Sequence, residues 1–175
     1  YFKALKTLSL ENDFLLVYDE VQTGVGITGE MWAHQHFCMP ECDNDCQIHC
    51  KAIEPDIISF GKKTQCCGIF AGNRLNEVDD HVFKESSRIN STFGGNLVDM
   101  VRFTIYLELI EKEDLVGAAS SNGDYLLSCL SDLQDKYSYL MSNSRGKGLF
   151  CAFDLPTPEQ RDKLITAMEE LGVLI

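Results

Sequence analysis

The sequence predicts an α/β fold, and two observations carry that expectation. Short apolar runs of strand length, each closing in charged or glycine-flanked residues, alternate with longer stretches whose apolar residues recur at helical spacing. The alternation runs through most of the 175 residues, so strands and helices interleave instead of sorting into separate blocks. Residues 1–112 read as part of a large parallel-sheet α/β domain, and residues 113–175 as the start of a smaller α+β domain reached through long helices.

Residues 1–11 form the first predicted helix, with Phe2, Leu5 and Leu8 about one turn apart. Phe14-Leu15-Leu16-Val17-Tyr18 is a strand, followed by a glycine-punctuated loop from Gly24 to Gly29. Residues 56–60 make a second strand and residues 68–72 a third. A helix from about Asn96 to Glu111 aligns Val98, Val101, Ile105 and Leu109, and another from Leu115 to Leu133 aligns Ala119, Leu126, Leu130 and Leu133. Gly146-Lys147-Gly148 then turns into the strand Leu149–Phe153, and Pro156 and Pro158 introduce a helix over residues 159–171. Opening inside a helix without methionine, and stopping in the apolar run Gly172-Val173-Leu174-Ile175, the sequence is expected to be a fragment of a longer protein.

Fifteen basic against 27 acidic residues give a net charge of −12, which disfavours nucleic acid and anionic membranes as partners. No stretch approaches the ~18 consecutive apolar residues of a membrane-spanning helix. Of the eight cysteines, Cys66 and Cys67 are adjacent while Cys129 and Cys151 fall in apolar patterns, the usage of small buried hydrophobes rather than disulfide partners. A reducing compartment, the cytoplasm, is the expectation.

One segment breaks the pattern. Between Phe37 and Lys51 the cysteines Cys38, Cys42, Cys46 and Cys50 recur every four residues, with His34, His36 and His49 nearby. On a helix the thiols would share a face and could ligate zinc or an iron–sulfur cluster. Structural metal sites pair their cysteines more tightly, and Pro40 with Asp43-Asn44-Asp45 reads as loop. Residues 37–51 are therefore treated as a cysteine-rich insertion, or even retained non-coding sequence, and no metal is assigned.

Two blocks carry chemistry. Asp19-Glu20-Val21-Gln22-Thr23-Gly24 follows the first strand, and Gly61-Lys62-Lys63-Thr64-Gln65 follows the second. Catalytic groups of open α/β sheets sit at the carboxyl ends of strands. A lysine amine and a carboxylate so placed are the two parts that pyridoxal 5′-phosphate demands: the amine binds its aldehyde, and the acid keeps its pyridine nitrogen protonated. Lys62 is the candidate amine, because Gly61 leaves room for a flat ring; the alternative is a solvated lysine pair. Asp19 is the candidate acid, expected near a buried strand end, with Glu20 facing the other way; a backbone hydrogen bond or helix cap is the competing role. The polar turn Asn90-Ser91-Thr92-Phe93-Gly94-Gly95-Asn96 suits a phosphate at the start of a helix, and suits an ordinary N-cap better.

Together these blocks resemble the class III (ω-type) pyridoxal-phosphate aminotransferases. The resemblance rests on Asp19–Gly24, Trp32-Ala33-His34, Pro55-Asp56-Ile57-Ile58, Gly61-Lys62-Lys63 and Asn90–Asn96, in the family's order. It implies the fold type I (aspartate aminotransferase-like) architecture, homodimers with shared sites, and an amino donor with 2-oxoglutarate as substrates. Within the family, Phe60–Gln65 and Ser91–Arg102 look most like L-lysine 6-aminotransferases, with 4-aminobutyrate aminotransferases next; the latter make the mitochondrial matrix an alternative location. The resemblance further implies that Lys62 binds the cofactor and shuttles a proton, that Asp19 pairs with the pyridine nitrogen, and that Val21 packs on the ring. It places Gln22 beside the ring oxygen and the substrate, and Thr92 on the phosphate of the neighbouring subunit, with Ser91 and Asn90 close to the same site. The chain departs from the pattern in its longer loop before Lys62 and in Cys66, where small or hydroxylated residues are usual. A dimeric scaffold without catalysis is the reading from outside the enzyme class.

Overall fold

In the computed structural model, which describes residues 1–37, 53–89 and 91–174, two buried carboxylates organise a small three-stranded sheet. Helix α1 (Phe2–Glu11) leads into β1 (Val17–Asp19), which pairs in parallel with β2 (Ile57–Phe60), so that Val17, Tyr18 and Asp19 stand opposite Ile57, Ile58 and Ser59. Strand β3 (Gly68–Ala71) lies on the other side of β2, but antiparallel, with Phe60 opposite Gly68. The described sheet is thus mixed where a parallel one was expected. Only residues 61–67 join β2 to β3, fewer than the dozen or so that a parallel crossover requires, so the chain must fold straight back. The cysteine-rich insertion from Cys38 onward, with Cys38, Cys42, Cys46 and Cys50, lies outside the described residues, as does Asn90.

Asp56 fastens the entry side of the sheet. It is 4% exposed and accepts the Leu16 amide at 2.7 Å, Lys6 Nζ at 2.9 Å and Arg74 at 2.8 Å. Its own amide donates to the Leu16 carbonyl at 2.7 Å, and its carbonyl accepts from Gly72 at 2.8 Å. Arg74 comes from the short 3-10 turn Asn73–Glu77 and also reaches Ser9 of α1 at 3.0 Å. One side chain therefore ties together α1, the start of β1, the start of β2 and the exit of β3. Burial pushes the Asp56 carboxyl up, but the Leu16 amide and the two cations outweigh it and hold it below its ordinary range.

Phe60 centres an aromatic cluster over β2 and β3. Its ring stacks on Phe70 at 4.7 Å and on Phe103 at 5.4 Å, with Trp32 6.3 Å away. Phe103 belongs to α2 (Leu97–Lys112), capped by Asn96, whose side chain accepts the Val98 amide at 2.9 Å. The predicted stripe Val98, Val101, Ile105 and Leu109 is helical but exposed.

Helix α3 (Leu115–Lys136) begins at Asp114, whose carboxylate accepts from the Gly117 amide, and lies on the hairpin of β4 (Ser142–Lys147) and β5 (Phe150–Asp154). Strand β4 was not foreseen. The buried residues of α3 are Ala119 and Gly123. A Cβ on Gly123 would lie 2.1 Å from the Gly148 carbonyl carbon, and one on Gly148, whose φ is +53°, would lie 2.3 Å from the Thr28 carbonyl carbon. The Leu149 amide closes this junction by donating to the Ile27 carbonyl at 2.9 Å. Thr157 caps the final helix, α4 (Pro158–Glu170), with proline in its first turn.

Asp56→Ala should leave the Leu16 amide orphaned, remove the carboxylate partner of Lys6 and leave Arg74, among the described residues, only the exposed Asp13 as an ion-pair partner, lowering the unfolding free energy of the full-length protein by roughly 3 kcal/mol in urea denaturation at pH 7.

Candidate active site

The carboxyl ends of β1 and β2 carry five polar residues, Asp19, Gln22, Ser59, Lys62 and Lys63, that stand up to 44 positions apart in the sequence. Asp19, the last residue of β1, accepts from Ser59 Oγ at 2.8 Å and from the Val21 amide at 3.1 Å, both through Oδ1. Ser59 sits directly opposite Asp19 in the parallel register, which is why its hydroxyl reaches the carboxylate. Lys62, in the turn after β2, donates from Nζ to Gln22 Oε1 at 2.6 Å. Lys63 donates to the Gln22 backbone carbonyl. Lys62 and Lys63 therefore meet at Gln22, while Asp19 is held on the adjoining strand end by Ser59 and the Val21 amide.

Two expectations about this edge need correction. Asp19 is exposed, and the buried acid is its neighbour Glu20, at 3% exposure. Strand alternation does turn the two apart, but the inward side belongs to Glu20. The room left by Gly61 is taken by Cys67, not kept for a ring: a Cβ there would lie 2.6 Å from Cys67 Sγ, so its smallness admits the close return of the chain toward β3. The turn is held from inside by Thr64, which is fully buried, with Oγ1 3.0 Å from the Gly61 carbonyl and 2.9 Å from that of Cys66.

Glu20 builds the loop that carries Val21 and Gln22. Its carboxylate accepts from Thr23 Oγ1 at 2.6 Å, the Ala33 amide at 3.0 Å, the His34 amide at 2.9 Å and His34 Nδ1 at 3.2 Å. Its carbonyl accepts the Gly24 amide at 2.8 Å. Burial alone would push this carboxyl up, but the four donors prevail and take it down to about 2. Residue spacing gives no sign of this role, since the donors at 33 and 34 come from the far end of a loop.

Ser91 and Thr92 lie on a separate exposed turn, where the Gly94 amide bonds to the Ser91 carbonyl at 3.1 Å. The helix cap of this segment is Asn96, so neither hydroxyl is consumed in capping α2. No group of three or more histidine, cysteine or acidic residues suited to a metal occurs among the described residues. Cys66, Cys67, Cys129 and Cys151 are all free thiols. No described helix is long and apolar enough to cross a membrane.

The donor set at the sheet edge fits pyridoxal phosphate. An exposed primary amine is available for the aldehyde, and a carboxylate fixed through one oxygen keeps Oδ2 without a hydrogen bond among the described residues, open to a protonated ring nitrogen.

The depressed Glu20 carboxyl has a pH signature. Its folded value lies below the ordinary 4.5, so its contribution is complete above that pH and is lost as pH falls toward about 2. Glu20→Gln should cost roughly 3 kcal/mol at pH 7 and show a shallower loss of stability than wild type between pH 5 and pH 2, read from urea midpoints across that range.

Comparison with known proteins identifies the family. The profile of the class-III aminotransferases matches residues 1–175. The L-lysine-epsilon aminotransferase of Mycobacterium tuberculosis is 45% identical over 175 residues, all of this chain and 36% of that protein. The 4-aminobutyrate aminotransferase of Dictyostelium discoideum is 33% identical over 173 residues, 99% of this chain and 31% of that protein. Among solved structures, the lysine aminotransferase from M. tuberculosis in the internal aldimine form has a TM-score of 0.86 at 46% identity, over 99% of this chain and 37% of that one. The chain thus spans about a third of the length of these proteins, whose family uses pyridoxal phosphate. With a match along its whole length and the lysine, aspartate and glutamine brought to one sheet edge, the chain belongs to the class-III aminotransferase family.

Proposed function

We propose that the protein carrying this chain is a pyridoxal-phosphate-dependent aminotransferase that moves the terminal amino group of L-lysine to 2-oxoglutarate, giving L-glutamate and a semialdehyde. The observation that carries this reading is the convergence of Lys62 on Gln22, beside Asp19, at the carboxyl edge of β1 and β2. The choice of lysine rests on the 45% identity with an L-lysine-epsilon aminotransferase. The 33% identity with a 4-aminobutyrate aminotransferase supports a second reading, in which 4-aminobutyrate or another ω-amine is the donor.

When bound, the cofactor supplies an electron sink for carbon–hydrogen bond cleavage next to the transferred nitrogen. Lys62 would hold its aldehyde and, once released, move the proton, using an amine that Gln22 orients. Asp19, kept in place by Ser59 and the Val21 amide, would hold the proton on the pyridine nitrogen, while Val21 packs on the ring face and Gln22 lies toward the ring oxygen and substrate. Thr92 and Ser91, with hydroxyls not used in capping, would serve the phosphate of a neighbouring subunit in a homodimer, and Asn90 would stand beside the substrate. Residues 113–175, with α3 on the β4–β5 hairpin, would begin the second, smaller domain after α2. The location proposed with this reading is cytoplasmic, with the mitochondrial matrix as the alternative if 4-aminobutyrate is the donor.

The test is a single-turnover absorbance experiment on the full-length protein loaded with pyridoxal phosphate, mixed with L-lysine or 4-aminobutyrate and no keto acid. Loss of the enzyme-bound visible band with L-lysine alone is the expected result, and loss with 4-aminobutyrate alone replaces it by the second reading. Lys62→Ala should abolish both the band and turnover; turnover that survives it would overturn the assignment of Lys62.

A further inference from the structure

Two adjacent lysines converge on one glutamine from different directions. Lys62 Nζ reaches the side-chain Oε1 of Gln22, while Lys63 Nζ reaches the backbone carbonyl of the same residue. Their surroundings differ. Lys62 is exposed, whereas Lys63 is half-buried, and its stem lines a cavity of about 350 Å3 with Val25, Gly26, Ile27, Ile110 and Val116. The stem thus borders an apolar wall while the ammonium group reaches the Gln22 carbonyl. Burial and the charge of Lys62 push the Lys63 amine down, and the buried charge of Glu20 pulls it up. A cation in that position needs an acceptor, and the Gln22 carbonyl is the one it takes.

The consequence falls on Gln22. Glu20 and Thr23 hold the loop on either side of it through their mutual 2.6 Å bond, but the Gln22 side chain has free torsions of its own. A fixed main chain at residue 22 narrows the positions from which Oε1 can meet Lys62.

The geometry points to Lys63 as a positioning residue for cofactor capture: by fixing the Gln22 main chain, it aims Gln22 Oε1 at Lys62 and so sets where the Lys62 amine stands. The inference rests on the pyridoxal-phosphate reading above, and is independent of which amine is the donor.

The experiment follows pyridoxal phosphate capture by the full-length apoprotein, as growth of the bound-cofactor absorbance, with borohydride reduction and mass mapping to identify the modified lysine. Lys63→Met should slow capture about tenfold or more while the far-UV circular dichroism is retained, and Lys63→Arg, which keeps a charged donor, should regain most of the rate. Because Lys63 is argued to act through the Gln22 side chain, adding Lys63→Met to Gln22→Ala should change capture little further. If Lys63→Met does not fold, Lys63→Gln takes its place in the same cycle. Capture by the variant at the wild-type rate, or an equal slowing in the Gln22→Ala background, would overturn the proposal. If wild-type apoprotein captures no cofactor, the functional reading falls and takes this inference with it; capture without turnover of L-lysine removes only the assigned donor.

Discussion

The buried carboxylate of Glu20 is the constraint on which this site depends. A charge at 3% exposure is tolerable only when fully compensated, and here compensation comes from Thr23 and from both the backbone and the ring of His34, with the Ala33 amide. Each donor lies on the far side of residues 21 and 22, so satisfying the charge necessarily folds the loop back and presents Gln22 at the sheet edge. Asp56 does the equivalent work at the opposite end, where it gathers α1, both parallel strands and the exit of β3.

These two acids compensate for the brevity of the strands. β1 has three residues and β2 and β3 have four each, below the usual five or six, so the backbone ladder alone locates little. Fixing each end of a short parallel pair through a buried side chain supplies the rigidity that length does not. The Asp19–Ser59 bond then inherits its geometry from the register, and the turn after β2 inherits its shape from buried Thr64 and the contact of Gly61 with Cys67.

Much of this was legible in the sequence, for identifiable reasons. Lys62 and Asp19 follow apolar runs, and runs that end in such residues advertise a strand edge, whereas Gln22 entered only through the family resemblance; α1 to α4 and four of the five strands show their periods. The remainder depends on distant pairing. Ser59 becomes a partner of Asp19 only through a register 40 positions apart, and the role of Glu20 is decided by donors across a loop. Strand β4, Ser-Asn-Ser-Arg-Gly-Lys, is polar on both faces and has no alternation to read, since it is held by β5 and α3. The direction of β3 is set by connection length rather than composition, and the exposed stripe on α2 shows that helical spacing identifies an element without saying what covers it.

The junction of Gly123, Gly148 and Thr28 bears on how the protein can change over generations. Ordinary packing conflicts are repaired by a second substitution that shrinks the opposing side chain. Here the opposing groups are main chain on both sides, with nothing to trim. A substitution at Gly123 or Gly148 therefore has no local suppressor; relief requires the hairpin to retreat and give up the bond from Leu149 to Ile27, on the loop that begins at Gln22. At these two glycines, drift is therefore closed to local compensation, although neither touches the lysine, the aspartate or the glutamine of the site.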